Sequence, residues 1–331
     1  MKERVSWLDY GKCICMLMVI YSHTVIYSTG RINDFLLLML PTRLLVFFFI
    51  SGYLTKVEGF DFKKTITSIG KKLLFPYFLF TLIIYLPKHL AHGTDISLQN
   101  MLYEILGGFA SWFVAALAVS KITLAVCLKY TKNLLTIGAV CLGLAVVGFL
   151  ITEYATFPVP WYAHYGLISL IYLYAGMLYK KYEAILSKKP LWQALLALLL
   201  YAVCVGYDYY VVKSSTFFYK MQAGDVTLLG VSAFLLLSFL GIWMMVSLVK
   251  LLPSNIKWML YIGKNSLTYY YLNTGLLLVL IAGLRYVGFP YLGTNWFTIP
   301  LFLLVIGVLT VISNLILRFA PWMVGNFGNK K

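Results

Sequence analysis

"LDYGKCICMLMVIYSHTVI", Leu8 to Ile26, decides the fold. It is an apolar run of membrane-helix length, with Lys12 near its start and His23 in its second half. A hydrocarbon core takes about 20 apolar residues per helix. The run is long and no small-x-small site ends it, so it reads as a first transmembrane helix rather than a cleaved signal peptide. The same test, applied outward, gives ten segments near 11–30, 35–55, 73–90, 109–128, 134–152, 161–180, 190–212, 226–249, 260–284 and 296–318. Lipid offers the backbone no hydrogen-bond partners, so these are helices. The whole chain of 331 residues, 61% hydrophobic and 11% charged, fits that class and leaves no length for a separate soluble domain. The expectation is one all-α transmembrane domain over 1–331, with about ten spans.

Basic residues set the orientation. With the N-terminus inside, 19 of the 27 Lys and Arg lie in cytoplasmic segments and five in outer loops. Both termini are therefore expected in the cytoplasm. The same count explains the formal charge of +16, so no nucleic-acid partner is expected. The five cysteines lie in apolar stretches without framework spacing and read as packing residues. The halves show no internal repeat, which weakens an inverted-repeat carrier.

Ionisable groups inside a membrane are costly and point to function. Eleven helical steps separate Lys12 from His23, which returns them to nearly one face about 16 Å apart. Asp9 lies one turn before Lys12. One stripe thus carries an acid and a base at the cytoplasmic rim and an imidazole deeper in. Snorkelling for Lys12 and a plain inter-helix hydrogen bond for His23 are the simpler readings.

Other stretches supply polar groups near these depths. "FFFISGYL" (Phe47–Leu54) places Ser51 and Gly52 at the rim, where glycine permits close approach of a helix or a ligand. "KKLLFPYF" (Lys71–Phe78) places Lys71 and Lys72 there too, with Pro76 suited to a first helical turn. "YIGKNSLTYYYLN" (Tyr261–Asn273) brings Lys264, a capping pair Asn265–Ser266, and Asn273 near the depth of His23. On the outer side, Trp112 of the Trp112–Phe113 pair reads as an aromatic platform for a ligand or an interfacial anchor. Arg43 can pair with Glu104 or Asp208, or meet an acidic ligand. His89 and His92 are too few ligands for zinc and read as surface residues, and no metal site is expected. His164 is expected at the interface.

Together these stretches resemble the membrane acyltransferase 3 family, in particular its fucose-acetylase-like branch. The resemblance rests on Asp9, Lys12 and His23 in the first helix, then "FFFISGYL", "KKLLFPYF", Trp112-Phe113 and "GKNSL" in that order. It covers essentially the whole chain. The late motif of the family commonly ends in His, where this chain has Asn273. The resemblance implies O-acylation of carbohydrate, most often O-acetylation, with acetyl-CoA as donor substrate rather than as a bound cofactor. The implied partners are the lipid bilayer, acyl-CoA and a carbohydrate acceptor.

The chemistry then distributes as follows. His23, with Lys12 and Asp9, serves catalysis, because an imidazole suits a general base at neutral pH. Lys12, Lys71, Lys72, Ser51, Lys264, Asn265 and Ser266 hold the donor. Asn273, Trp112 and Arg43 face the acceptor. Direct transfer and an acetyl-His23 intermediate both remain open. The competing reading is a transporter or flippase of a lipid-linked sugar, which would not depend on CoA. The basic loops favour a bacterial inner membrane.

Overall fold

The computed structural model describes residues 5–31, 42–92, 94, 96–207 and 228–328. Every regular element among them is helical. In chain order these are α1 (Ser6–Thr29), α2 (Leu45–Tyr53), α3 (Phe62–Ile69), α4 (Phe75–His92) and α5 (Leu98–Leu106). Next come α6 (Trp112–Tyr130), α7 (Leu134–Tyr154), α8 (Ala163–Leu186) and α9 (Pro190–Tyr207). The chain continues through α10 (Leu228–Lys250), α11 (Lys257–Lys264), α12 (Ser266–Tyr286) and α13 (Thr298–Phe319).

Eight helices among the described residues are long and apolar enough to cross a membrane. This is a multi-pass membrane protein. Two of the ten expected spans are not in that set. For the span near 35–55, residues 32–41 lie outside the described residues, and α2 is the rest. The span near 161–180 is the 24-residue α8. It packs against α2, α6 and α7. A helix enclosed by other helices can carry polar groups that a lipid-facing one cannot. Tyr172 of α8 shows this, sharing a buried 2.7 Å hydrogen bond with Ser238.

The first helix is the hub. It touches α2, α10, α11, α12 and α13, and 14 of its 24 residues are buried. Tyr10 ties it to the α10–α11 loop, donating to the Pro253 carbonyl (2.5 Å) and accepting from the Ile256 N–H (2.9 Å). Gly263 of α11 lets that helix pack directly on the backbone of α1, since a Cβ there would lie 1.9 Å from the Asp9 carbonyl oxygen.

Two helix starts differ from the sequence expectation. Pro76 does not open a helix. The helix begins at Phe62, where the Asp61 side chain accepts from the Lys64 N–H (2.9 Å), and continues through a π-turn, Gly70–Leu74, into α4. Proline has no N–H and its ring crowds the carbonyl one turn back, so the wider turn just before it absorbs the misfit. Asn265 sits at the start of α12, but its side chain does not cap that helix. Its Nδ2 instead donates to the Tyr261 carbonyl (2.9 Å) and closes α11.

Gly52 serves helix packing. A Cβ there would lie 1.8 Å from the Leu173 carbonyl oxygen, and one on Gly176 would lie 2.0 Å from that of Phe49. The α2 and α8 backbones therefore touch. Gly52→Ala must push them apart, at a cost of at least about 1–3 kcal/mol. Size-exclusion profiles in detergent are expected to show loss of the monodisperse peak and a lower Tm; an unchanged Tm would refute the contact.

Candidate active site

His23 is held by α12. Its Nδ1 lies 2.6 Å from Asn273 Oδ1, and Asn273 Nδ2 donates to the Tyr270 carbonyl (2.5 Å). That second bond fixes which end of the amide faces the imidazole. Oδ1 accepts, so Nδ1–H donates and Nε2 keeps its lone pair. Thr274 Oγ1 stands 3.4 Å from the same Nδ1. Asn273 is buried, so its amide is held in place.

His23 lines a cavity of about 250 Å³ on the side away from the termini. Tyr27, Tyr85 and Trp112 give it aromatic walls, and Lys88 and Glu104 give it charge. Those charges compensate each other. Lys88 Nζ lies 2.9 Å from one Glu104 oxygen, and His89 Nε2 lies 3.2 Å from the other. The volume falls just below the ~300–1,000 Å³ of drug-sized pockets, so the cavity suits a small group.

A second cavity, about 370 Å³, lies toward the termini and is lined by Lys72, Lys264 and Asn265. Tyr271 lines both cavities. Phe80 lines the second and stacks on Tyr271, with ring centroids 5.2 Å apart and planes 16° from parallel. One stacked pair thus stands in the wall between them. A third cleft, about 580 Å³, adjoins the second and holds Lys71 and Lys72.

The structure thus brings together Lys72, Lys264 and Asn265 in one cavity and His23 and Trp112 in another, with Asn273 behind His23. Lys12 pairs with Asp9 at 2.8 Å, but neither residue is in the lining of the three cavities. The same holds for Ser51 and Ser266, the latter buried at the start of α12. Arg43 Nη1 donates to Ser22 Oγ, one residue from His23. Glu104, one partner expected for Arg43, is engaged by Lys88, and Asp208, the other, lies outside the described residues.

His89 is not a surface residue. It is 7% exposed and bonded through Nδ1 to Thr94 Oγ1 (2.6 Å) as well as paired with Glu104, because α5 folds back onto α4. The side chain of His92 lies outside the described residues. His164 is buried against the rings of Tyr162 and Tyr165, so it packs rather than sits at an interface.

Sequence reasoning missed Lys88, Glu104, Tyr270 and Tyr271. The signal was "TYYYLN". Three consecutive residues on a helix point about 100° apart, so each tyrosine serves a different neighbour. Tyr269 bonds Thr310 (2.7 Å), Tyr270 bonds Ser111 (3.2 Å), and Tyr271 reaches the Leu73 carbonyl (3.4 Å).

A family model described as an acyltransferase domain, Acyl_transf_3, matches residues 5–318. The chain belongs to the membrane acyltransferase 3 family. No curated protein matches it, and no solved structure does. The match to this acyltransferase runs from the start of α1 almost to the end of α13, so His23, Asn273 and the Phe80–Tyr271 pair all lie inside it. It stops before the short 3-10 turn Pro321–Val324.

Proposed function

We propose that this acyltransferase moves an acetyl or other short acyl group from acyl-CoA to a hydroxyl of a cell-surface or lipid-linked carbohydrate. The termini and the Lys72–Lys264 cavity face the cytoplasm, and the His23 cavity faces outward, across a bacterial inner membrane. The observation that carries this reading is the pair of opposed cavities meeting at Tyr271, one lined by lysines and one by an oriented histidine. Acyl-CoA has a polyanionic end and a long neutral arm. The lysines suit the first, and the roughly 16 Å between the rim and His23 suits the second.

In the reaction, the acceptor oxygen attacks the thioester carbonyl carbon while His23 Nε2 takes the hydroxyl proton. The C–S bond then breaks, and the imidazolium returns the proton to the departing CoA sulfur. Asn273 keeps Nδ1–H engaged and stabilises the imidazolium that forms between the two steps. Trp112 lines the His23 cavity and orients the acceptor; Arg43 donates to Ser22 Oγ and is not in that lining. Lys12 and Asp9 pair with each other and line none of the three cavities, so no contact with the donor is assigned to them.

The deciding experiment incubates inside-out vesicles with acyl-labelled acetyl-CoA and follows label into glycan or lipid-linked sugar. Label incorporated by wild type and absent with His23→Ala supports the reading. Carbohydrate movement without CoA dependence would favour a carrier instead. Sequential kinetics fit direct transfer, and ping-pong kinetics fit an acetyl-imidazole.

Trp112→Ala is expected to raise KM for the acceptor about 2–10-fold with little change in kcat, matching the ~0.5–1.5 kcal/mol of an aromatic contact. Initial rates across acceptor concentration check this. An unchanged KM would leave Trp112 as an interfacial anchor.

A further inference from the structure

Four lysines, Lys63, Lys64, Lys71 and Lys72, line the third cleft, against one acid, Asp61. The Asp61 carboxylate is engaged with the Lys64 backbone N–H and caps α3. None of the four lysines has an ion-pair partner among the described residues. They lie on α3 and the π-turn, which face the end of the chain.

The opposite wall is the C-terminal turn. Gly325 has φ +74°, and a Cβ there would lie 2.2 Å from the Lys71 carbonyl oxygen. Only glycine both adopts that backbone conformation and lets the turn approach so closely. Phe75 holds the same turn through its rings, 5.1 Å from Phe327 and 6.2 Å from Trp322. Gly325 and Asn326 line the cleft on one side and the Lys264 cavity on the other, as Lys72 does. The two spaces therefore meet along one strap of chain. That strap lies beyond residues 5–318, outside the part matched by the family.

We propose that this cleft binds a phosphorylated nucleotide, the adenosine 3′,5′-bisphosphate end of the donor, with the C-terminal turn as its second wall. Lys63 and Lys64 meet its phosphates, and Asn326 marks where the donor's remaining phosphate and neutral arm leave for the cavity of Lys72 and Lys264. The inference rests on the acyl-CoA reading above and extends it to Lys63, Lys64 and the C-terminal turn, which that reading does not use. Phosphate is also the chemistry of an anionic lipid headgroup, and the test separates the two sources.

Binding of adenosine 3′,5′-bisphosphate is measured by calorimetry on the full chain in nanodiscs of zwitterionic lipid. The wild type is compared with a Lys63→Gln/Lys64→Gln double variant and with Gly325→Val. The exposed lysine changes leave the fold intact. The expected result is at least a tenfold weaker Kd in the double variant and a comparable loss in Gly325→Val. Repeating the titration in nanodiscs containing phosphatidylglycerol is expected to shift Kd by less than threefold. Two results would overturn the proposal: equal nucleotide affinity in wild type and double variant, or nucleotide binding abolished by phosphatidylglycerol, which makes the cleft a headgroup site. Acyl transfer by the same wild-type preparation is the control. Transfer without nucleotide affinity at this cleft sinks the cleft alone, whereas absence of both CoA binding and transfer sinks the acyl-CoA reading with it.

Discussion

His23→Ala, at wild-type abundance in the membrane, is expected to leave acyl transfer at background. Loss of a positioned general base costs about 10²–10⁴-fold. Here the loss stands at the upper end, because His23 is the one imidazole among the described residues lining this cavity. The donor side is separate, so Kd for acyl-CoA is expected to change less than twofold. His23→Gln is the stricter comparison. It keeps a polar group near Asn273 yet cannot accept and return a proton, and it is expected to be as inactive as alanine. Transfer at wild-type rate by either variant would remove His23 from the chemistry. Their Tm values should stay close to wild type, because His23 reaches the cavity rather than filling the core.

Asn273→Leu is expected to lower kcat about 10²-fold while KM for acyl-CoA holds. The leucine fills the space but gives Nδ1–H no acceptor, so the ring is free to turn. A misplacement of about 1 Å is enough for a loss of that size. It also removes the 2.5 Å bond from Asn273 Nδ2 to the part-buried Tyr270 carbonyl, so some stability is lost as well. The discriminating variant is Asn273→Asp, which restores an acceptor at Oδ1 but not the donor to Tyr270. Recovery of kcat in Asp relative to Leu, measured by initial rates at saturating donor, identifies Asn273 as a positioning residue. Equal kcat in the two variants would mean that it serves packing alone.

The membrane class, and with it the helical fold, was legible in the sequence because lipid leaves so few solutions to a backbone. The 3.6-residue period also put Asn273 near the depth of His23, and the 2.6 Å contact follows from that register. What the sequence hid were effects of helices on one another. Ser51-Gly52 has one sequence signature whether a helix or a ligand approaches it, and the carbonyl of Leu173 occupies the place. The Lys12–Asp9 pair, by contrast, was legible, because residues three apart on a helix are neighbours, and the two meet at 2.8 Å. Lys88 and Glu104 are 16 residues apart on two helices, and nothing in the spacing shows that α5 turns back onto α4. The C-terminal turn gave no signal because its role depends on where the π-turn puts the Lys71 carbonyl.

Phe80 and Tyr271 have a consequence outside acyl transfer. A membrane that stores energy as an ion gradient cannot tolerate a continuous water path, and here two water-accessible recesses approach each other until one pair of rings divides them. An enzyme that passes only the acyl end of its donor through such a point lives under a carrier's constraint. The opening must be plugged by the substrate itself while the rings are apart, and resealed as it withdraws. Selection on those two aromatic positions would then act on the cell's ability to hold its proton-motive force as much as on acyl transfer.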